Sequence, residues 1–126
     1  MLFRSYVELS YAVKNSLAYA SIQNKSGNFI EPTLESTSKA AEGVTIPSDF
    51  RVSLVNSGNA DAYPVAGFTW ILIYKNPDDA AKGKTIVEFI KWAVHEGQQY
   101  TKDLLYAPLP QDVVAMIDKK LSEVKV

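Results

Sequence analysis

The chain contains no cysteine. Disulfides and thiolate metal sites are therefore excluded, and the fold must hold by packing and hydrogen bonding. This absence does not fix a compartment. There is a single histidine, so no His-x-x-x-His pair exists to bind a metal from one helix face. Arginine is scarce, with only Arg4 and Arg51. Neither sign of charge dominates, since 13 Lys and Arg face 14 Asp and Glu for a net charge of −1. The basic residues are scattered, which argues against a nucleic-acid partner. No apolar run approaches the ~20 residues that span a bilayer. No Gly-rich nucleotide loop, internal repeat or low-complexity tract appears. The start, Met1-Leu2-Phe3-Arg4-Ser5-Tyr6, is unlike a secretory leader because Arg4 and Glu8 interrupt any apolar core. The expectation is a soluble chain without an export address.

What is present is ordinary globular material. The 126 residues are 47% hydrophobic and 21% charged, too apolar and too neutral for disorder. One domain of this length buries roughly two thirds of its unfolded surface. The most informative stretch is Tyr63-Pro64-Val65-Ala66-Gly67-Phe68-Thr69-Trp70-Ile71-Leu72-Ile73-Tyr74-Lys75. Its β-branched and aromatic content predicts a strand with both faces buried. Such a strand needs layers above and below it, and this chain is short for supplying both.

Around it the pattern is mixed. Helical spacing runs from Leu2 to Asn15, with Phe3, Tyr6 or Val7, Leu9 or Ser10, and Val13 on one face. Leu17 to Gln23 reads as a strand, residues 24–28 as a turn, and Phe29-Ile30 as the return strand of a hairpin stopped by Pro32. Thr33 caps a helix to Glu42, with Gly43 at its left-handed end. Phe50 to Val55 reads as a short strand, with a helical turn as the alternative. A polar turn covers residues 56–61. Asp78 is the expected N-cap after the long strand. Lys84 to Glu96 is amphipathic, with Ile86, Phe89, Ile90 and Ala93 as its stripe, widened by Val87 and Val94. Gly97 interrupts it, and residues 98–104 resume it. Tyr106 to Pro110 is an extended link, and Pro110 sits at the start of a last helix with Val113, Val114, Ile117, Leu121 and Val124 on its apolar face. About five helical segments and four or five strands place the chain in the α/β or α+β class.

Candidate chemistry is sparse. His95, followed by Glu96, lacks further ligands or a nucleophile and reads as a solvated helix residue. Asp78 and Asp79 form a carboxylate pair, but adjacent acids at a helix start serve better as cap and dipole partner than as converging acid and base. Asn56-Ser57-Gly58-Asn59 has amides suited to an anion, yet a phosphate cradle runs into a helix and this loop runs into a strand. Trp70 and Trp92 suggest a sugar platform, with core packing as the simpler account. Taken alone, the residues describe a packed scaffold.

Five blocks then match one known pattern in order. They are Tyr6-Val7-Glu8-Leu9-Ser10-Tyr11-Ala12, Asn15-Ser16-Leu17-Ala18-Tyr19-Ala20, Asp61-Ala62-Tyr63-Pro64-Val65, Phe89-Ile90-Lys91-Trp92-Ala93 and Tyr106-Ala107-Pro108-Leu109-Pro110. From about Tyr6 to Leu121 the chain resembles the C-terminal third of the phosphate-binding proteins of bacterial ABC transporters. The resemblance implies a periplasmic protein of two α/β lobes with dehydrated phosphate in the cleft. It implies a partial periplasmic-binding-protein-like fold, with fragments of two lobes and helices packed on a mixed sheet. Residues 1–63 would close one lobe, and residues 64–126 would return to the other with the long strand and the C-terminal helices. Its partners would be inorganic phosphate and an ABC permease.

The chain departs from that pattern in two places. Met1 to Ser5 stand where the family has a Gly-rich strand end. The upstream two thirds, which carry the phosphate contacts of that family, have no counterpart here. No phosphate-binding, catalytic or metal-binding residue is therefore carried over, and no cofactor is expected. A dehydrated phosphate needs roughly ten hydrogen bonds, from helix N-termini and a bidentate Arg. Arg4 and Arg51 adjoin no Gly/Ser/Thr helix start. The expected function is that of a truncated phosphate receptor unable to bind phosphate alone. The alternative is an independent oligomeric interaction module, a homodimer or larger, exchanging elements across Asn56 to Tyr63. An enzyme, such as a small phosphatase or hydrolase, finds no nucleophile–base pair or metal set.

Overall fold

The structure is a computed structural model that describes residues 5–126. The readings placed on residues 1–4, namely a start unlike a secretory leader, Phe3 on a helix face and Arg4 away from any Gly/Ser/Thr helix start, lie outside the described residues. Four α-helices, one 3-10 helix and a two-stranded sheet make up the described residues: α1 (Leu9–Lys14), β1 (Ile22–Gln23), β2 (Phe29–Ile30), α2 (Leu34–Ala41), α3 (Ala80–Val94), the 3-10 helix Glu96–Tyr100, and α4 (Gln111–Leu121).

The N-terminal half is held mainly by polar contacts. Of the helix expected from Leu2 to Asn15, the described residues form α1, which buries Ser10 and Ala12 and leaves Tyr11 and Val13 exposed, while Tyr6 and Val7 before it are exposed and non-helical. Two of its apolar residues, Tyr11 and Val13, stay in solvent, and without their burial the spacing alone does not extend it. The strand expected from Leu17 to Gln23 shrinks likewise to β1. The hairpin itself forms, antiparallel, with Ile22 opposite Ile30 and Gln23 opposite Phe29. Asn24 makes its turn: Oδ1 accepts from the amides of Ser26 at 3.0 Å and Asn28 at 3.2 Å. The same side chain reaches 36 residues on, where Nδ2 donates to Ala60 O at 2.7 Å, and also to Ala62 O at 3.2 Å.

Helix α2 forms as its sequence predicts. Thr33 Oγ1 accepts from the Ser36 amide at 3.1 Å, and Ser36 Oγ accepts from the Thr33 amide at 2.9 Å, a reciprocal capping box. Gly43, at φ +72°, ends it in the left-handed region. The polar turn at 56–61 also forms, and Asn56 Oδ1 clasps the hairpin through the Lys25 amide at 2.8 Å. The strand expected at Phe50 to Val55 does not form, because Phe50 sits at φ +60° and turns the chain out of the β region.

The largest difference concerns the apolar run. Residues 65–74 form no helix and pair with no strand among the described residues. Trp70 is 50% exposed, Ile71 66%, Leu72 94% and Tyr74 85%. The side chains suit a pleated, covered surface, but no neighbouring main chain lies beside them to complete a ladder. The sheet is accordingly a two-stranded antiparallel ribbon, and a mixed sheet under the helices is not formed among the described residues. Helices with a small sheet are compatible with part of an α/β fold.

Helix α3 starts earlier than its amphipathic pattern. Asp79, one residue beyond the expected Asp78, is the N-cap and accepts from the Lys82 amide at 3.0 Å. The buried face holds Gly83, Val87 and Ile90, while Ile86 and Phe89 are exposed. The stripe is thus rotated toward Val87, because the partners that cover it are Leu121 and, more shallowly, Ile73, Ile117 and Val124. Residues 98–104 do not resume the α-helix; the 3-10 helix and a run of turns replace it. Pro110 caps α4, which buries Val113, Val114 and Leu121 as expected.

Two apolar clusters result. One joins Ala40, Leu54 and Ala62, with Ala66 and Phe68 packed against it. The other joins Val87, Ile90 and Leu121. No large side chain is fully buried among the described residues.

Candidate functional site

A concavity lies between the apolar run and the C-terminal helices. It has a volume of about 470 Å³. One wall is Phe50 and residues 68–73; the other is Ile90 and Val94 of α3 with Val113, Ile117 and Leu121 of α4. Trp70 is set by an indole N–H bond to Phe50 O at 3.0 Å and by edge contact with Phe68 at 6.2 Å between ring centres. Charge is confined to Asp49, Lys75, Lys120 and Glu123. Glu123 accepts from Lys75 at 3.0 Å and from Lys120 at 3.1 Å. The Lys75 ammonium, and then that of Lys120, holds its carboxyl below the usual carboxylate range. Such a groove suits apolar side chains and offers little to a bare oxyanion.

Several amides at the helix starts and in the polar turn are engaged within the chain, whereas those of Ser57, Gly58 and Asn59 make no hydrogen bond among the described residues and Ser57 Oγ is buried without a partner. The start of α2 is closed by its capping box, and that of α3 by the Asp79 carboxylate. At α4, Asp112 Oδ1 accepts from the Val113 amide at 3.0 Å. In the polar turn, the Asn56 amide donates to Pro64 O at 2.8 Å, the Asp61 amide to Asn59 Oδ1 at 2.9 Å, and the Ala62 amide to Asn59 O at 3.2 Å. Arg51 stands 90% exposed with Asp49 3.9 Å away.

The remaining candidates separate in space. His95 ends α3, and its Nε2 lies 3.0 Å from the Asp118 carboxylate of α4. It is half-exposed, as a solvated helix residue should be, but its link to Asp118 was not visible in the sequence. Only the spacing of two helices on a common core would have suggested it. Asp78 is exposed and takes no part in the cap. Neither Trp70 nor Trp92 is a core residue, since half of Trp70 and 45% of Trp92 face solvent. Trp92 stacks on Phe89 at 5.9 Å and leans on Tyr100 at 6.3 Å. The α3 stripe that would have buried Phe89 is turned outward, and Trp92 follows it. Burial raises the Tyr63 hydroxyl above its usual value. Tyr106 OH donates to Glu8, joining two of the sequence blocks noted above. Among the described residues no three of His, Asp or Glu converge as metal ligands.

Comparison with known proteins gives a consistent answer. No family model matches the chain. The phosphate-binding protein PstS of Xylella fastidiosa (strain 9a5c) is 35% identical over 115 residues, which cover 90% of this chain and 32% of that protein. The PstS of Pasteurella multocida is 36% identical over 114 residues, covering 89% of this chain and 33% of the relative. The PstS of Methanocaldococcus jannaschii is 35% identical over 124 residues, covering 86% and 31%. The chain spans about a third of the length of the curated relatives it matches. The resemblance read in the five blocks is therefore shown: over almost nine-tenths of its length this chain is similar to about one third of a PstS phosphate-binding protein.

Proposed function

We propose that this chain is the framework portion of a phosphate receptor serving an ABC transporter, and that it does not hold phosphate by itself. The observation that carries the reading is the similarity to PstS proteins across almost the whole chain but only a third of theirs. The fate of the polar groups supports its second half. The starts of α2, α3 and α4 carry side chains of the chain itself, and the groove beside the C-terminal helices is apolar. Residues 1–63 and 64–126 then belong to two lobes of the receptor. The apolar run links them: Ala66 and Phe68 pack on the first cluster, and Ile73 packs on the second. On this reading the protein works in the periplasm with a permease, and is a binding component rather than an enzyme.

Thermal melting tests the reading. A ligand that binds the folded state raises the midpoint by mass action, by about 2.7 kcal/mol at a hundredfold excess over its dissociation constant. Millimolar phosphate should leave the melting midpoint where chloride of equal ionic strength leaves it. A phosphate-specific rise would show a complete site on this chain and overturn the second half of the reading.

A further inference from the structure

A covered stretch of chain has its peptide groups bonded. Among the described residues, those of residues 65–74 are not: main-chain bonds stop at Pro64 O and resume at Lys75 O. Yet the same residues are composed for burial. No charged side chain lies from Ala62 to Tyr74, in a chain that is 21% charged. Trp70 is nevertheless half exposed, and Ile71, Leu72 and Tyr74 are largely so. The two apolar clusters on either side are small. This is the pattern of a core laid open along one seam. The relatives show how much chain stands beyond it. A match covering nine-tenths of this chain can omit only its ends, so it includes residues 65–74, and it takes up about a third of each PstS protein. Two further thirds of each relative remain to cover the segment.

We propose that residues 68–74, with the groove beside them, form the surface on which the other two thirds of a PstS-type receptor seat. The inference rests on the framework reading above and deepens it by naming the partner and the surface. Two features specify the occupant. The bare peptide groups need donors and acceptors in like number, which a neighbouring run of main chain supplies. The uncharged aromatic and β-branched side chains need an apolar cover. A lipid surface answers the second need but offers no donors to the carbonyls. The seam also has a charged border, where Glu123 binds Lys75 at 3.0 Å and Lys120 at 3.1 Å. The apolar cover ends there.

The experiment compares the isolated 126-residue chain with a full-length hybrid, in which this chain replaces the matching third of the Xylella fastidiosa PstS. Hydrogen exchange reads the amides of residues 65–74. In the hybrid they should exchange roughly a hundredfold more slowly than in the isolated chain. Leu72→Lys is made in both proteins. Leu72 is 94% exposed, so the isolated chain should melt at an unchanged midpoint. In the hybrid the substitution should lower the midpoint by roughly 5 °C or more, because it buries an unpaired charge. Equal exchange in the two proteins would overturn the proposal. So would a Leu72→Lys hybrid as stable as its parent, or a hybrid that circular dichroism shows unfolded. Protection in the isolated chain that rises with concentration would make a second copy the occupant, and would overturn it too. Phosphate titration of both proteins keeps the two ideas apart. The framework reading fails if the isolated chain binds phosphate, whereas this proposal fails on exchange and on the variant even where the hybrid binds it.

Discussion

At Asn24 one side chain closes the hairpin turn through Oδ1 and ties it to Ala60 and Ala62 through Nδ2. Only 6% of Asn24 is exposed, so groups left behind by its removal would find little water. Asn24→Ala should lower stability by about 2–4 kcal/mol, since two carbonyls and two amides lose a partner. Asn24→Asp, which keeps the acceptor and loses the donor, should fall between. Urea unfolding checks the order, and an Asn24→Ala loss below about 0.5 kcal/mol would contradict it. Glu123 gives a pH dependence. Its folded value lies below the ordinary 4.5 because Lys75, then Lys120, favours the carboxylate. Its stabilisation is therefore present above that ordinary value and is lost as pH falls through the folded one. Melting midpoints of Glu123→Gln should accordingly decline less than wild type below that pH, and parallel curves would contradict the assignment.

On the scale of elements, Gly83 shows a constraint that helix propensity opposes. A Cβ built there would lie 2.5 Å from Pro77 Cγ and 2.8 Å from Val126 Cγ1. Alanine gains about 1 kcal/mol of propensity, against an overpacking cost of about 1–3 kcal/mol. Gly83→Ala should therefore lower the midpoint, and a rise would show that Pro77 and Val126 yield freely. The elements legible in the sequence are those whose signals are local. Thr33 and Gly43 bound α2, Asn24 and Gly27 turn the hairpin, and Pro110 opens α4, each through a backbone demand met within a few residues. What the sequence misplaced depended on distant neighbours. The spacing of Ile86, Phe89 and Ile90 defines a face, but Leu121 decides that Val87 turns inward. The composition of residues 65–74 declares an affinity for a sheet and says nothing about whether another strand is there to receive it.

For the whole molecule, the same gap separates what the chain resembles from what it does. The five blocks are framework: the start of α1, the segment that follows it, the end of the polar turn, the latter half of α3 and a Pro-stiffened link. Family likeness was legible because those blocks keep their order and spacing. The candidate site was legible only in part. His95 pairs with Asp118 and Asn56 clasps the hairpin, while Trp70 and Trp92 are surface residues whose exposure no local pattern revealed. The proposed reading, supported by the apolar groove and the side chains at the starts of α2, α3 and α4, is of a scaffold that does not grip phosphate by itself. Isothermal titration calorimetry of the 126-residue chain with inorganic phosphate tests that claim most directly. The account predicts heats indistinguishable from dilution up to millimolar phosphate, and a saturable isotherm at micromolar concentrations or tighter would contradict it.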